Sequence, residues 1–268
     1  MSEPILIERR GHVALLTLNR PDTRNALSGE AMFAAFEQTF AALNADLNVR
    51  VAILTGAGTA FCSGGNVAEM RERRGMFAGT PEQIAQAYRD GIQRIPRAFE
   101  ALQVPIIAAV NGPAIGAGND LACMCDLRIA SRQARFAESF VKVGIVPGDG
   151  GCWLLPRVVG YARAAEMALT GDAIDAEEAL RIGLVSRVVA PEALRDEALQ
   201  LAARIAANPP QVLRWTRQLL QQARTATLDE ALGSAGRLQG LAHHTADHAE
   251  AVAAFFEKRA PRFQGAAT

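Results

Sequence analysis

Two glycine-bearing turns are the segments of this chain best suited to chemistry. The first is Phe61-Cys62-Ser63-Gly64-Gly65-Asn66-Val67 and the second is Asn111-Gly112-Pro113-Ala114-Ile115-Gly116-Ala117-Gly118-Asn119-Asp120. Each follows an apolar, strand-like run and precedes an expected helix start. Small residues let a ligand approach the main chain closely. The first turn of a helix leaves N–H groups unpaired at the positive end of the helix dipole. Two such turns side by side would aim two N–H donors at one oxygen. That is an oxyanion site, where one donor is worth ~3 kcal/mol of barrier. The alternative is that both are only tight turns. Neither is a P-loop, because no Lys followed by Ser or Thr comes after the glycines, and neither has Gly-x-Gly-x-x-Gly spacing.

The elements that would hold these turns are legible as pattern. Ile5 to Glu8 and His12 to Leu18 are expected strands joined at Gly11. Ser28 to Leu43 is an expected helix, capped by Ser28 and with Glu30 in its first turn. Val51 to Leu54, Val104 to Val110 and Asp126 to Ala130 are expected buried strands, and Gln83 to Leu102 one long helix. Strands alternating with helices predict an α/β core. From Pro191 onward the pattern is helical: Pro191 to Ala206, Pro210 to Arg224, Leu228 to His243 and Ala246 to Lys258, with a break at Asn208-Pro209-Pro210. The chain is therefore divided into a strand-bearing part, 1–190, and a helical part, 191–268, expected to pack on the core or on a neighbouring subunit. Arg71 to Pro81 is charged, contains glycine and follows the first turn, so it is expected to be a mobile loop that covers a ligand.

Composition narrows the function classes. Of 268 residues, 50% are hydrophobic, and 28 Lys plus Arg balance 28 Asp plus Glu. No global field recruits nucleic acid or an anionic membrane, and little repulsion opposes self-association. There is no uninterrupted apolar span of membrane length and no apolar leader in Met1 to Arg10, so a cytoplasmic setting is expected. Cys62, Cys123, Cys125 and Cys152 form no Cys-x-x-Cys pair and are expected to be small buried hydrophobes rather than metal ligands. His12, His243, His244 and His248 fit no nucleophile–His–Asp logic. His244 and His248 have the i, i+4 spacing of a metal pair but are expected on the surface, so no metal is expected.

The turns and their surroundings resemble the crotonase, or enoyl-CoA hydratase/isomerase, superfamily, in pieces that run in order through nearly the whole chain. Leu18-Asn19-Arg20-Pro21 with Asn25-Ala26-Leu27, Phe61 to Met70, Ala108 to Asp126, Pro147 to Gly151, Leu169 to Asp172, Gly183-Leu184-Val185 and Phe256 to Arg259 each resemble a family landmark. The resemblance implies an α/β crotonase fold, a spiral of ββα units with C-terminal helices that support homotrimers, often paired into hexamers. It implies that the N–H groups of Gly65 and Ala117 bind the oxygen of an acyl-CoA thioester. It also implies that coenzyme A runs past Arg24, Ala26, Leu27, Ser63, Asn66 and Val67, with Lys258 meeting a phosphate of its own ligand or of a neighbouring subunit's. Coenzyme A is then part of the substrate and no separate cofactor is required.

The acid and base are less determined. By the resemblance, the first hydratase glutamate falls on Asp120, three residues after Ala117 and on the same side of a helix. The second, counted back without gaps from Pro147-Gly148, falls on Phe140, which cannot carry a proton. Glu138 is two residues away and lies on the same face if the segment is extended; its alternative is a surface or salt-bridged carboxylate. Asp149 lies between glycines, as an N-cap would, yet some family members that hydrolyse C–C bonds have a functional Asp in a similar Pro-Gly-Asp-Gly. The expected activity is hydratase/isomerase chemistry on an acyl-CoA, by oxyanion stabilisation of an enolate with Asp120 and either Asp149 or Glu138 moving protons. The alternatives are an isomerase, a C–C or thioester hydrolase, or a non-catalytic acyl-CoA binder.

Overall fold

Side chains alternate along the central strands so that both faces of the main sheet are apolar there. The computed structural model describes residues 3–265. Its strands are β1 (Ile5–Arg10), β2 (Val13–Leu18), β3 (Val51–Gly56), β4 (Ile106–Val110), β5 (Ala114–Ile115), β6 (Leu127–Ser131), β7 (Arg135–Ala137), β8 (Ile174–Asp175) and β9 (Arg187–Val189). The main sheet runs β1-β2-β3-β4-β6-β9, with β1 antiparallel to β2 and every other pair parallel. A second sheet, β5-β7-β8, lies outside it.

The helices are α1 (Glu30–Ala45), α2 (Val67–Arg71), α3 (Pro81–Asp90), α4 (Arg94–Ala101), α5 (Ala117–Met124), α6 (Gly151–Val159), α7 (Tyr161–Thr170), α8 (Ala176–Arg181), α9 (Leu194–Ala206), α10 (Pro210–Gln222), α11 (Leu228–His243) and α12 (Ala246–Glu257). One face of the main sheet, through Leu16, Leu18, Leu54 and Ala108, packs on α1, α4 and α5, where Phe36, Phe40 and Phe99 form an edge-to-face aromatic cluster. The other face, through Leu15, Val51, Ile53 and Ile107, is sealed by α9. Ala198, Ala202 and Ala206 repeat at i, i+4 and i+8 along α9, so this helix lies close against the strands. The helical part beyond residue 190 thus begins with an element of the core.

Helix α10 ties that part down by charge. It buries Pro210, Arg214 and Arg217 on one side. Arg214 donates to the carbonyls of Leu43, Asn44 and Asp46 at the end of α1, and Arg217 to those of Phe99 and Leu102 at the end of α4. Helix C-termini leave carbonyls unpaired at the negative end of the dipole, which is where a guanidinium binds well. Arg50 does the same for Ala206 at the end of α9. By contrast, α11 buries only Leu238, and α12 only Asp247 and Ala254. Leu228, Leu232, Leu241, Phe255 and Phe256 are exposed there.

Three expectations are corrected. Ser28 caps nothing: Gly29, at φ 79°, is the N-cap, and α1 starts at Glu30. The stretch from Gln83 to Leu102 is two helices, not one. Pro96 has no N–H and its ring would clash with the Ile92 carbonyl in a continuous helix, so it is accommodated in the first turn of α4. Cys62, Cys123 and Cys125 are buried as expected, but Cys152 is exposed.

Candidate active site

The two glycine-bearing turns meet. Cys62 forms an isolated parallel bridge with Ala114, and Ile115 N–H donates to the Cys62 carbonyl at 3.0 Å. Gly64 has φ 82°, and a methyl group on it would lie 2.4 Å from the Ile115 carbonyl oxygen and 3.1 Å from the Ala117 nitrogen. Only glycine permits that approach. Ala117 is the first residue of α5, and Gly65 is two residues before α2. Neither Gly65 N–H nor Ala117 N–H has a hydrogen-bond acceptor among the described residues.

The Arg20–Leu27 segment holds the first turn. Asn25 is fully buried; its Nδ2 donates to the carbonyls of Ala57 and Ala60, each at 2.9 Å, and its Oδ1 accepts from Arg20 N–H at 3.0 Å. Ser63 N–H donates to the Arg24 carbonyl and Leu27 N–H to the Gly64 carbonyl, both at 2.9 Å. The residues expected beside coenzyme A are therefore distributed unevenly. Arg24 and Val67 are exposed next to the turn, whereas the side chains of Ala26 and Leu27 are buried in the core, leaving only their main chain to a ligand. Ser63 Oγ donates to the Thr23 carbonyl. Asn66 is the N-cap of α2, its side chain accepting from Ala68 and Glu69 N–H. Lys258 ends α12 in a left-handed conformation, with no side-chain hydrogen bond or ion pair to these turns.

The second sheet brings the acids together. Ile115 pairs with Ala137, and Gly116 N–H donates to the Ala137 carbonyl at 2.7 Å, so Glu138 emerges beside the start of α5. Asp120 stands one turn into α5 and Asp149 just before α6, which packs on α5. All three carboxyls are buried: Asp120 is 0%, Glu138 1% and Asp149 3% exposed. Gly151 is the floor under Asp120 and Glu138. A methyl group there would lie 2.1 Å from Glu138 Oε1 and 2.5 and 2.7 Å from the two oxygens of Asp120. Both Asp120 oxygens, Glu138 Oε1 and Asp149 Oδ2 meet no N–H or hydroxyl donor; Glu138 Oε2 accepts from Asn119 Nδ2 at 2.9 Å.

Such a cluster must share protons, because like charges in a dry site cannot all ionise. Burial, then the charges of Asp149 and Glu138, holds Asp120 well above the usual carboxyl range. Burial pushes Glu138 up to about 7, with hydrogen bonds from Asn119 and Asp120 pulling the other way. Burial pushes Asp149 up to about 6, again opposed by a hydrogen bond from Asp120. Burial favours a proton on Asp120, whose single O–H can donate to Glu138 or to Asp149 but not to both at once. Asp149 faces Cys62 and Tyr88, on the side of the first turn, while Glu138 faces Asn119 and Cys123.

Two alternatives from sequence fall away. Glu138 is neither a surface nor a salt-bridged carboxylate. Asp149 is not the cap of α6, whose N-cap is Gly150 with no side-chain hydrogen bond. Phe140, at the position counted as the second glutamate, is half-buried and would touch a side chain at Gly116, forming an apolar wall beside the second turn. The glycines of Pro147 to Gly151 carry no sequence signal of the carboxyls that rest against Gly151. His243 Nδ1 and His248 Nε2 are hydrogen-bonded at 3.0 Å, and no cluster of three metal-ligating side chains occurs among the described residues.

Known proteins share this architecture. The sequence model of the enoyl-CoA hydratase/isomerase family matches residues 8–266. The chain is 39% identical to 1,2-epoxyphenylacetyl-CoA isomerase of Escherichia coli (strain K12) over 265 residues, covering 99% of this chain and 100% of the relative. It is 40% identical to (E)-benzylidenesuccinyl-CoA hydratase of Thauera aromatica over 264 residues, 98% and 100% of the two chains. The solved structure of an enoyl-CoA hydratase from Bacillus anthracis superimposes with a TM-score of 0.90 at 34% identity, over 98% of this chain and 100% of that one.

Proposed function

The chain belongs to the enoyl-CoA hydratase/isomerase family and has the crotonase fold, and from that premise we propose how its own residues act on an acyl-CoA thioester. The thioester oxygen accepts from Gly65 and Ala117 N–H, the second at the positive end of α5. For hydration of a 2-enoyl thioester, ionised Asp149 takes a proton from water as the water oxygen bonds to the β carbon. The electron pair of the double bond moves to the thioester oxygen as an enolate. Protonated Asp120 then gives its proton to the α carbon, and the proton on Asp149 passes to Asp120, restoring both. The observation that carries this reading is the buried Asp120 and Asp149 carboxyls, both raised by burial, beside two unpaired N–H groups. Glu138, pushed up to about 7 by burial, stands behind Asp120 and takes no part in these steps.

A second outcome, a double-bond or ring isomerisation by the same enolate, is favoured by the apolar Phe140 wall, which leaves fewer groups to hold a water. Turnover of a panel of enoyl- and epoxyacyl-CoA thioesters distinguishes the two, by loss of conjugated thioester absorbance or by a shifted product without added water. Full activity in Asp120→Asn and Asp149→Asn would overturn the assignment. We further propose that Arg24, the main chain of Ala26 and Leu27, Ser63, Asn66 and Val67 line the coenzyme A path. In the same reading, the exposed apolar residues of α11 and α12 form the contact of a homotrimer or a dimer of trimers, which brings Lys258 to a neighbour's ligand. Light scattering of the purified protein, with Leu232→Glu and Phe255→Glu, tests that assembly. No described helix is long and apolar enough to cross a membrane.

A further inference from the structure

Helix α5 carries one more buried polar side chain, which the scheme above does not use. Asn119 is 0% exposed; its Nδ2 donates to Glu138 Oε2 at 2.9 Å and its Oδ1 meets no donor. A side-chain amide has a donor end and an acceptor end. The donor end faces Glu138, which suits a carboxylate and not an acid whose O–H points the same way. Glu138 Oε1 lies against Gly151 next to the Asp120 carboxyl. Asp120 has no N–H or hydroxyl partner at either oxygen, so a proton lying between these two groups is a carboxyl proton. Among the described residues, no Lys or Arg forms an ion pair with Asp120, Glu138 or Asp149.

We propose that Asn119 is a positioning residue for proton transfer: its amide holds Glu138 as the carboxylate, so that Glu138 accepts from Asp120 and Asp120 keeps the proton it delivers. The proposal rests on the reading of Asp120 as the acid. Two buried carboxyls of similar basicity would otherwise compete for one proton, leaving Asp120 ionised part of the time. The Asn119 hydrogen bond breaks that tie by favouring the charge on Glu138. The titratable groups facing Glu138 are Asp120 and Asp149, with the buried Cys123 thiol beside it.

The test uses the full chain. Asn119→Leu keeps the volume and removes the donor; Asn119→Ser keeps a shorter donor. Glu138 is titrated by carbon-13 NMR of labelled carboxyls, assigned with Glu138→Gln, and kcat and KM are measured against pH on an enoyl-CoA thioester. In Asn119→Leu the Glu138 midpoint is expected to rise by about one unit or more, the acid limb of kcat to move with it, and kcat to fall about ten-fold with KM unchanged. Asn119→Ser is expected to recover part of each change, and it supplies the same comparison if the leucine variant fails to fold. A Glu138 midpoint that does not move overturns the proposal, as does one that moves while kcat keeps its profile. If wild type turns over no thioester, the acid/base reading fails instead, and the NMR titration alone decides whether Asn119 sets Glu138.

Discussion

Gly151→Ala sets two physical effects against each other, and the structure decides between them. Gly151 opens α6, and in a helix alanine is favoured over glycine by about 1 kcal/mol. By that measure the substitution stabilises. Yet the added methyl would meet Glu138 Oε1 and both Asp120 oxygens below 3.0 Å, a separation that real Cβ atoms essentially never show. Overpacking of this kind costs about 1–3 kcal/mol. The carboxyls cannot retreat freely, because Glu138 is held by Asn119 and both are walled in by α5 and α6. The expected net effect is destabilisation by about 1–2 kcal/mol, a drop in Tm of roughly 3–6 °C. Carboxyls displaced by about 1 Å are expected to lower kcat about 10²-fold. KM should change little, since the methyl meets the Asp120 and Glu138 carboxyls and not the Gly65 or Ala117 N–H donors. Calorimetry and steady-state kinetics on the thioester read both numbers. In a Glu138→Ala background the stability cost of the methyl should shrink by about 1 kcal/mol, the signature of direct coupling. A variant with unchanged or higher Tm and wild-type kcat would refute the claim that the acids rest on Gly151.

Other outcomes follow from the same site and its supports. Asp149 and Glu138 have folded pKa values raised from 3.8 to about 6 and from 4.5 to about 7, so their contribution to stability is full below the unfolded values and is lost as pH rises through the folded ones. Between pH 4.5 and 7 the unfolding free energy should fall by up to about 1.4 kcal/mol per pH unit for each proton concerned, and Glu138→Gln should flatten that slope in urea titrations. Carboxylates held below their usual range, such as Glu37 and Glu250, lose their stabilisation at lower pH and do not mask the effect. Asn25→Ala removes three hydrogen bonds of a buried side chain, leaving the Ala60 carbonyl with only Asn111 Nδ2 at 3.4 Å, and should cost about 2–4 kcal/mol while raising KM for the thioester, measured by denaturation and kinetics. Arg217→Met leaves Asp126, its partner at 2.7 Å, with only the Ile106 N–H, and should cost about 3 kcal/mol in chemical denaturation, the lower end of a buried pair because the Asp126 side chain is 24% exposed.

What sequence made legible here is local and periodic. The strands around Leu15 and Ile53 and the helix at Leu228 announced themselves through period and caps, and the two small-residue turns through composition. The helix break before Pro96 was also available, since proline forbids the continuous helix expected there. The standing of Glu138 was not available. Its neighbours in sequence are equally consistent with a surface strand end, and only the pairing of Ile115 with Ala137 brings it to Asp120. Asp149 was ambiguous for a similar reason: an aspartate before a helix caps or does not according to the turn it sits in, here set by Gly150 at φ 111°. Arg214 and Arg217 were unreadable, because a charged residue on an amphipathic helix is ordinarily solvated, and the carbonyls they bind lie more than a hundred residues away.

Those arginines have a consequence for variation. Their ligands on α1 and α4 are main-chain carbonyls, which every residue type possesses. The joint between α10 and the ends of α1 and α4 therefore constrains the arginine and the path of the backbone, but not the side chains at positions 43–46 or 99 and 102 as hydrogen-bond partners. Outside the Arg217–Asp126 ion pair, the junction can drift in sequence on one side while remaining intact, so a search for covarying residue pairs across it would be expected to find little beyond that pair despite its depth in the fold.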